Sequence, residues 1–131
     1  MSAIWYPLGK KHLMRGEVAL HSDAIIAILL SNAYTYNSTH EYRDDLTGEM
    51  ATITLTSKTV SDEGVFDADD GIFSIGSPAT KAAIAIVKDT GVASTSILLG
   101  FVNEGFSFGT LVSGSQPVHW DDGPNKILAI S

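Results

Sequence analysis

Turn-forming residues interrupt this chain roughly every ten residues, which limits each element between them to a short length. The stretches between the turns are rich in β-branched and aromatic residues, which are enriched in strands. The pattern predicts an all-β fold, either a β-sandwich or a jelly-roll-like barrel of short antiparallel strands. The turn signals are Gly64, Asp70-Gly71, Gly76-Ser77-Pro78, Thr90-Gly91, Ser113-Gly114 and Asp122-Gly123-Pro124.

The apolar patterns of the strands differ in how much cover they require. Residues 52–56 alternate between polar and apolar side chains, which is typical of a strand with one buried face. Residues 82–87 and 97–102 are apolar on both faces, so we expect a second sheet or a neighbouring molecule to cover them. Three isoleucines in residues 24–30 favour a further strand over a buried helix.

Helix is predicted at only two places. Residues 6–16 fit one short N-terminal helix, with Pro7 in the first turn and Gly16 at the end. Ser38-Thr39-His40-Glu41 has the spacing of a capping box, in which the serine and glutamate side chains bond terminal backbone amides. We expect no more than a single turn there, within residues 40–46.

Length and charge exclude several classes of protein. The 131 residues predict one β-rich domain spanning residues 1–131. A formal net charge of −7 disfavours a general nucleic-acid or anionic-membrane binder, because the partner repeats the same sign. The absence of cysteine excludes disulfides, thiolate metal sites and cysteine nucleophiles.

The acidic stretch Asp67-Ala68-Asp69-Asp70-Gly71 is the strongest metal candidate, because calcium prefers carboxylate oxygens. Its spacing does not fit the helix-loop-helix calcium site. Ile72 stands where that motif has glycine, and Pro78 stands where it has glutamate. The Asp-Gly pair instead favours a hairpin turn, and the sequence predicts no resident metal.

His119 lies close in sequence to Asp121 and Asp122, as a general base and its orienting carboxylate would. A catalytic role would also need a nucleophile or an oxyanion site, and neither is recognisable. The sequence therefore predicts no enzyme and no cofactor. The remaining histidines lack the spacing of a zinc site: His12, His21 and His40.

A basic cluster of Lys10, Lys11 and Arg15 stands out in this acidic chain. The cluster is either an ordinary solvated helix face or a surface that docks an acidic partner. Trp5 and Tyr6 precede it, and tryptophan is enriched at the energetic centres of interfaces as well as in cores. These five residues form the candidate docking site, and residues 1–16 form the candidate docking arm.

Four segments, taken together, resemble a group of small structural proteins from tailed bacteriophages. Their order and spacing match that group over roughly two-thirds of the chain. The fourth segment is the most specific, since acidic and glycine turns are common. The segments are His40-Glu41-Tyr42-Arg43-Asp44-Asp45-Leu46, Val65-Phe66-Asp67-Ala68-Asp69-Asp70, Val87-Lys88-Asp89-Thr90-Gly91 and Trp120-Asp121-Asp122-Gly123-Pro124-Asn125-Lys126-Ile127.

The resemblance implies a decoration, or cement, protein on the exterior of a tailed-phage capsid. Such a protein binds the major capsid protein as a homo-oligomer, here expected to be a trimer, and needs no cofactor, nucleic acid or membrane. Assembly of the virion in the reducing cytoplasm of the bacterial host fits the missing cysteines. The family offers no catalytic residues to carry over.

Two other functions stay open at this point. The chain could be a head–tail adaptor or a tail component of the virion. It could also be a carbohydrate-binding module that presents exposed aromatic residues, for which the candidates are Trp5, Tyr34, Tyr36 and Trp120.

Overall fold

The structure, a computed structural model, describes residues 2–31, 33–62, 64–69, 71–75, 82–104, 114–118 and 128–129. These residues confirm an all-β fold with one short N-terminal helix, α1 (Pro7–Met14), and a 3-10 turn at Arg43–Asp45. The strands are β1 (Ser2–Trp5), β2 (Ile25–Ser31), β3 (Glu49–Thr54), β4 (Thr59–Val60), β5 (Val65–Asp67), β6 (Gly71–Ile75), β7 (Ala82–Lys88), β8 (Ile97–Glu104), β9 (Gly114–Val118) and β10 (Leu128–Ala129).

The main sheet has five antiparallel strands in the order β1-β8-β7-β2-β3. Its interior strands are hydrogen-bonded along both edges and covered on both faces. Ile28, Ile84, Ile86 and Leu98 are accordingly fully buried. The prediction that β7 and β8 need cover on both sides is confirmed, and the chain's own residues provide it.

Two small sheets provide the second layer over one face of the main sheet. One has the order β10-β5-β4, and the other pairs β6 with β9. Phe66 from β5 and Phe73 from β6 pack with Ile84, Ile86 and Leu99 of the main sheet. Burying each such side chain contributes about 1.5–3 kcal/mol, so this contact is a major source of stability.

An irregular segment, residues 33–46, covers the opposite face of the main sheet. Tyr34 and Leu46 of this segment pack with Leu98 and Phe101 of β8. The ring centroids of Tyr34 and Phe101 lie 5.9 Å apart. Aromatic side chains therefore replace a further sheet on this side, because each buries a large apolar area from an irregular backbone.

The predicted hairpin across Asp67–Gly71 is wrong. β5 pairs with β4 and β10, whereas β6 pairs with β9, so the stretch joins two different sheets. The Asp69 amide donates to the Thr56 carbonyl at 3.0 Å, which holds the stretch against the chain beyond β3. Within the described part of the chain, no three histidine or acidic side chains group as metal ligands would.

The single turn predicted within residues 40–46 is confirmed, but the predicted cap is wrong. The Asp45 carboxylate accepts hydrogen bonds from the amides of Glu41 at 2.9 Å and Tyr42 at 3.2 Å. Glu41 does not serve as the capping glutamate, because its own carboxylate faces the helix α1. Asp45 therefore takes the capping role that the sequence assigned to Ser38 and Glu41.

Asp45→Ala is expected to lower the free energy of unfolding by about 1 kcal/mol at neutral pH, as loss of a capping carboxylate does. The two amide bonds lower the pKa of Asp45, so its contribution is present above the unfolded pKa of about 3.9 and disappears as the pH falls through the folded value. The difference from the parent protein should therefore shrink below pH ~4. Denaturant titrations at several pH values measure it. Asp44→Ala is the matched control, and an equal loss in both variants would contradict the capping role.

Candidate functional site

The N-terminal segment is built onto the outer edge of β8. β1 pairs with that edge as far as Gly100, and the Tyr6 amide donates to the Leu99 carbonyl at 3.0 Å. α1 then passes beside the β8 backbone with Gly9 buried against it. An alanine Cβ at Gly9 would collide with the Leu98 carbonyl oxygen and lie 3.0 Å from the Leu99 Cα. The helix can approach the strand this closely only because residue 9 has no side chain.

The two aromatic residues of the candidate docking site are buried in the core. Trp5 is 7% exposed and Tyr6 is fully buried. The Tyr6 hydroxyl lies 2.7 Å from that of Tyr34, which lies 2.9 Å from Nδ1 of His40. Burial raises the pKa of Tyr6 far above its usual value, so the phenol stays neutral. The expectation that Trp5 and Tyr6 contact a partner is therefore corrected, since their apolar area is already used within this chain.

The other three residues of the candidate docking site lie on the solvent side of the N-terminal segment. Exposed fractions are 40% for the Lys11 side chain and 62% for that of Arg15, and Lys10 is half-buried. Met14, which no sequence pattern singled out, is 86% exposed. Side chains three and four positions apart in a helix are neighbours, so Met14 lies beside Lys10 and Lys11. We call Lys10, Lys11, Met14 and Arg15 the basic helix face.

Ion pairs with glutamates of the same chain neutralise part of the positive charge of the basic helix face. Lys11 Nζ lies 3.1 Å from Glu41 Oε2, and Arg15 Nε lies 3.8 Å from Glu17 Oε1. Lys10 has no ion-pair partner among the residues that the structure describes. Lys10 and Met14 are therefore the members of the basic helix face with the most capacity for a partner.

His12 holds the opposite side of α1 in place. Its side chain is 9% exposed, with Nδ1 2.6 Å from Glu17 Oε1 and Nε2 2.7 Å from Glu41 Oε2. The bond from His12 is the largest cause that lowers the pKa of each glutamate. The His12 ring therefore ties α1 to both carboxylates, a role that no local sequence pattern signals.

Two of the four segments that carry the phage resemblance lie close together. The Arg43 amide donates to the Ser96 carbonyl at 2.8 Å, and the Asp44 amide to the Ala93 carbonyl at 3.3 Å. The Arg43 guanidinium donates hydrogen bonds to the Glu49 carboxylate, which raise the pKa of Arg43, and the nearby charge of Asp89 raises it further. The two backbone hydrogen bonds place residues 40–46 against the turn that follows β7. Residues 65–67 form β5 in the second layer, and residues 120–127 lie outside the described residues.

The aromatic residues named for carbohydrate binding form no exposed platform where they are described. Trp5 and Tyr34 are buried, and Tyr36 is half-buried with its hydroxyl donating to the Trp5 carbonyl at 3.2 Å. Trp120, like the catalytic candidate His119, lies outside the described residues. The sugar-binding function therefore loses Trp5 and Tyr34 as candidate contacts, and Tyr36 is only partly accessible.

No helix in the described ranges has the length and apolar character to cross a membrane. In comparisons with known proteins, no protein-family model, no curated protein and no solved structure matches the chain.

Proposed function

We propose that this protein is a non-enzymatic capsid decoration protein of a tailed bacteriophage, acting as a homotrimer on the outside of the assembled shell. The observation that carries the proposal is the basic helix face. α1 is held by Gly9 and His12 on one side and presents Lys10 and Met14 to solvent on the other. The resemblance of four sequence segments to phage structural proteins supplies the biological setting.

Charge favours this surface for docking over the rest of the molecule. The chain carries fifteen acidic and eight basic residues, and three of the basic ones lie on the basic helix face. An acidic patch on the major capsid protein would attract that face and be repelled by the acidic remainder, which fixes the orientation of binding. Met14 adds a flexible apolar contact of the kind that adapts to irregular partner surfaces.

Stabilisation of the shell follows from binding equilibria. A ligand that binds an assembled state and not its separated parts stabilises the assembly by an amount that grows with the logarithm of the ligand concentration relative to its dissociation constant. A docking surface held in one orientation loses little conformational freedom on binding, which improves affinity. The contacts of Gly9 and His12 give α1 such a fixed orientation.

Lys10→Glu is expected to reduce occupancy on capsids about tenfold at physiological ionic strength, a change in binding free energy of about 1.4 kcal/mol. Lys10 is the best position because it has no described ion pair to disrupt. Purified capsids lacking the protein are incubated with each variant, and bound protein is quantified after sedimentation. Lys58→Glu, which makes the same charge change outside α1, is the matched control. Equal occupancy of both variants would contradict docking through the basic helix face.

The number of copies per particle tests the alternative role within the virion. A decoration protein occupies sites across the whole shell, whereas a head–tail adaptor forms one ring and a tail component follows the tail. Quantitative mass spectrometry of intact particles separates these outcomes. A copy number fitting only a single ring would overturn the decoration role.

A further inference from the structure

An apolar cavity opens beside α1, between the residues that follow the helix and the pair of strands β4 and β5. Its volume is about 340 Å³. Its wall is formed mainly by Trp5, Leu13, Val18, Leu20, Val60 and Phe66.

The cavity is continuous with the hydrophobic core. Trp5, Val18, Leu20 and Phe66 are buried members of the same core cluster. Val60 is 45% exposed and pairs with Phe66 across the two strands, so it lies at the outer side of the wall. An apolar surface that is both concave and accessible is the usual form of a small-molecule site.

The chemistry of the wall selects an uncharged ligand. No aspartate, glutamate, lysine or arginine lies among the described lining residues, and His21 is their titratable member. A charged group entering such a wall would lose its hydration without gaining an opposite charge. Charge complementarity therefore favours a neutral, apolar occupant.

The volume sets the size of the ligand. An apolar cavity of about 150 Å³ stays dry and accommodates one benzene ring. A cavity of about 340 Å³ has room for a molecule roughly twice as large. We propose that this cavity is a binding site for an uncharged apolar small molecule the size of a two-ring aromatic compound. The site is independent of the proposed docking role.

The test uses prodan, an uncharged naphthalene derivative whose emission shifts to shorter wavelength in apolar surroundings. Titration of the full chain into prodan should give a saturable blue shift with a dissociation constant of about 1–100 µM. Naphthalene should displace the probe, and naphthalene-2-sulfonate should not. Displacement by both compounds alike would overturn the selection for uncharged ligands, and absence of a saturable shift would overturn the site itself.

Two cavity variants and one control variant assign the binding to this cavity. Val60→Phe narrows its outer side and should weaken prodan binding at least tenfold. Thr59→Phe adds the same ring to the opposite face of β4, where the side chain is exposed, and should change the affinity less than twofold. Ala19→Leu, which fills the cavity from another lining position, should weaken binding in the same way as Val60→Phe. Equal affinity in Val60→Phe, Ala19→Leu and the control would overturn the assignment.

Protein concentration distinguishes the small molecule from a second copy of the chain as the occupant. A small-molecule site binds prodan with the same affinity at every protein concentration. A cavity filled by an apolar side chain of a second copy would exclude the probe as the protein concentration rises, and this result would overturn the proposal.

Discussion

Gly9→Ala is expected to destabilise the protein by about 3 kcal/mol or more, which is at the upper end for overpacking a buried position. The new methyl group would collide with the Leu98 carbonyl oxygen and approach the Leu99 Cα to 3.0 Å. Both atoms belong to the backbone of β8, which is hydrogen-bonded to β7 and cannot move as a flexible side chain could. Either α1 moves away from the sheet or the sheet distorts, and both lose buried contacts.

Gly16→Ala is the matched control for this effect. Gly16 has φ +76°. Apart from its neighbours in the chain, no atom of the described residues lies within 4 Å of the position that an alanine methyl group would take, so alanine there meets backbone strain without a collision. Strain of this kind costs about 1–2 kcal/mol. Chemical denaturation of both variants at one protein concentration gives the comparison. A smaller loss at Gly9 than at Gly16 would show that α1 does not lie against β8 as described.

His12→Ala is expected to lower the free energy of unfolding by about 2 kcal/mol, the scale of hydrogen bonds that involve charged groups. The substitution removes a buried ring that contacts two carboxylates, those of Glu17 and Glu41. The loss stays below that of a fully buried ion pair, because Glu17 and Glu41 remain 41% and 24% exposed and regain water.

The two glutamates give an internal control for the His12 prediction. Glu41→Gln should be more destabilising than Glu17→Gln, because Glu41 is less exposed and also pairs with Lys11. Denaturation measures the loss, and amide hydrogen exchange locates it. Faster exchange should be confined to α1 and the residues that contact it. Unchanged stability in His12→Ala would show that His12 does not hold the helix.

The sequence correctly predicted those strands and helix ends whose signal lies in residues adjacent in the chain. The apolar residues of β2, β7 and β8 form contiguous runs in the sequence, and any stable fold has to bury them. The start of α1 could also be predicted from the sequence, because the fixed backbone angle of Pro7 suits the first turn of a helix. Gly16, at the expected end, has the left-handed backbone that glycine permits.

The predictions that failed depended on partners distant in sequence. Asp70-Gly71 indicated a change of direction, but the pairing of β6 with β9 rather than β5 depends on residues more than forty positions away. Trp5 and Tyr6 were placed in the candidate docking site because they precede the basic cluster and because tryptophan is enriched at interfaces. Their burial follows from the position of β1 at the edge of β8 and from the cover provided by Tyr34.

For the candidate site, the sequence alone determined which residue types were present: a basic cluster in an acidic chain without cysteine. The tertiary structure decided which of them face solvent. It buried Trp5 and Tyr6, exposed Met14, and paired Lys11 with a glutamate thirty residues away. The physical reason is that charge and hydrophobicity belong to each residue, whereas exposure and pairing depend on which distant segments the fold brings against it.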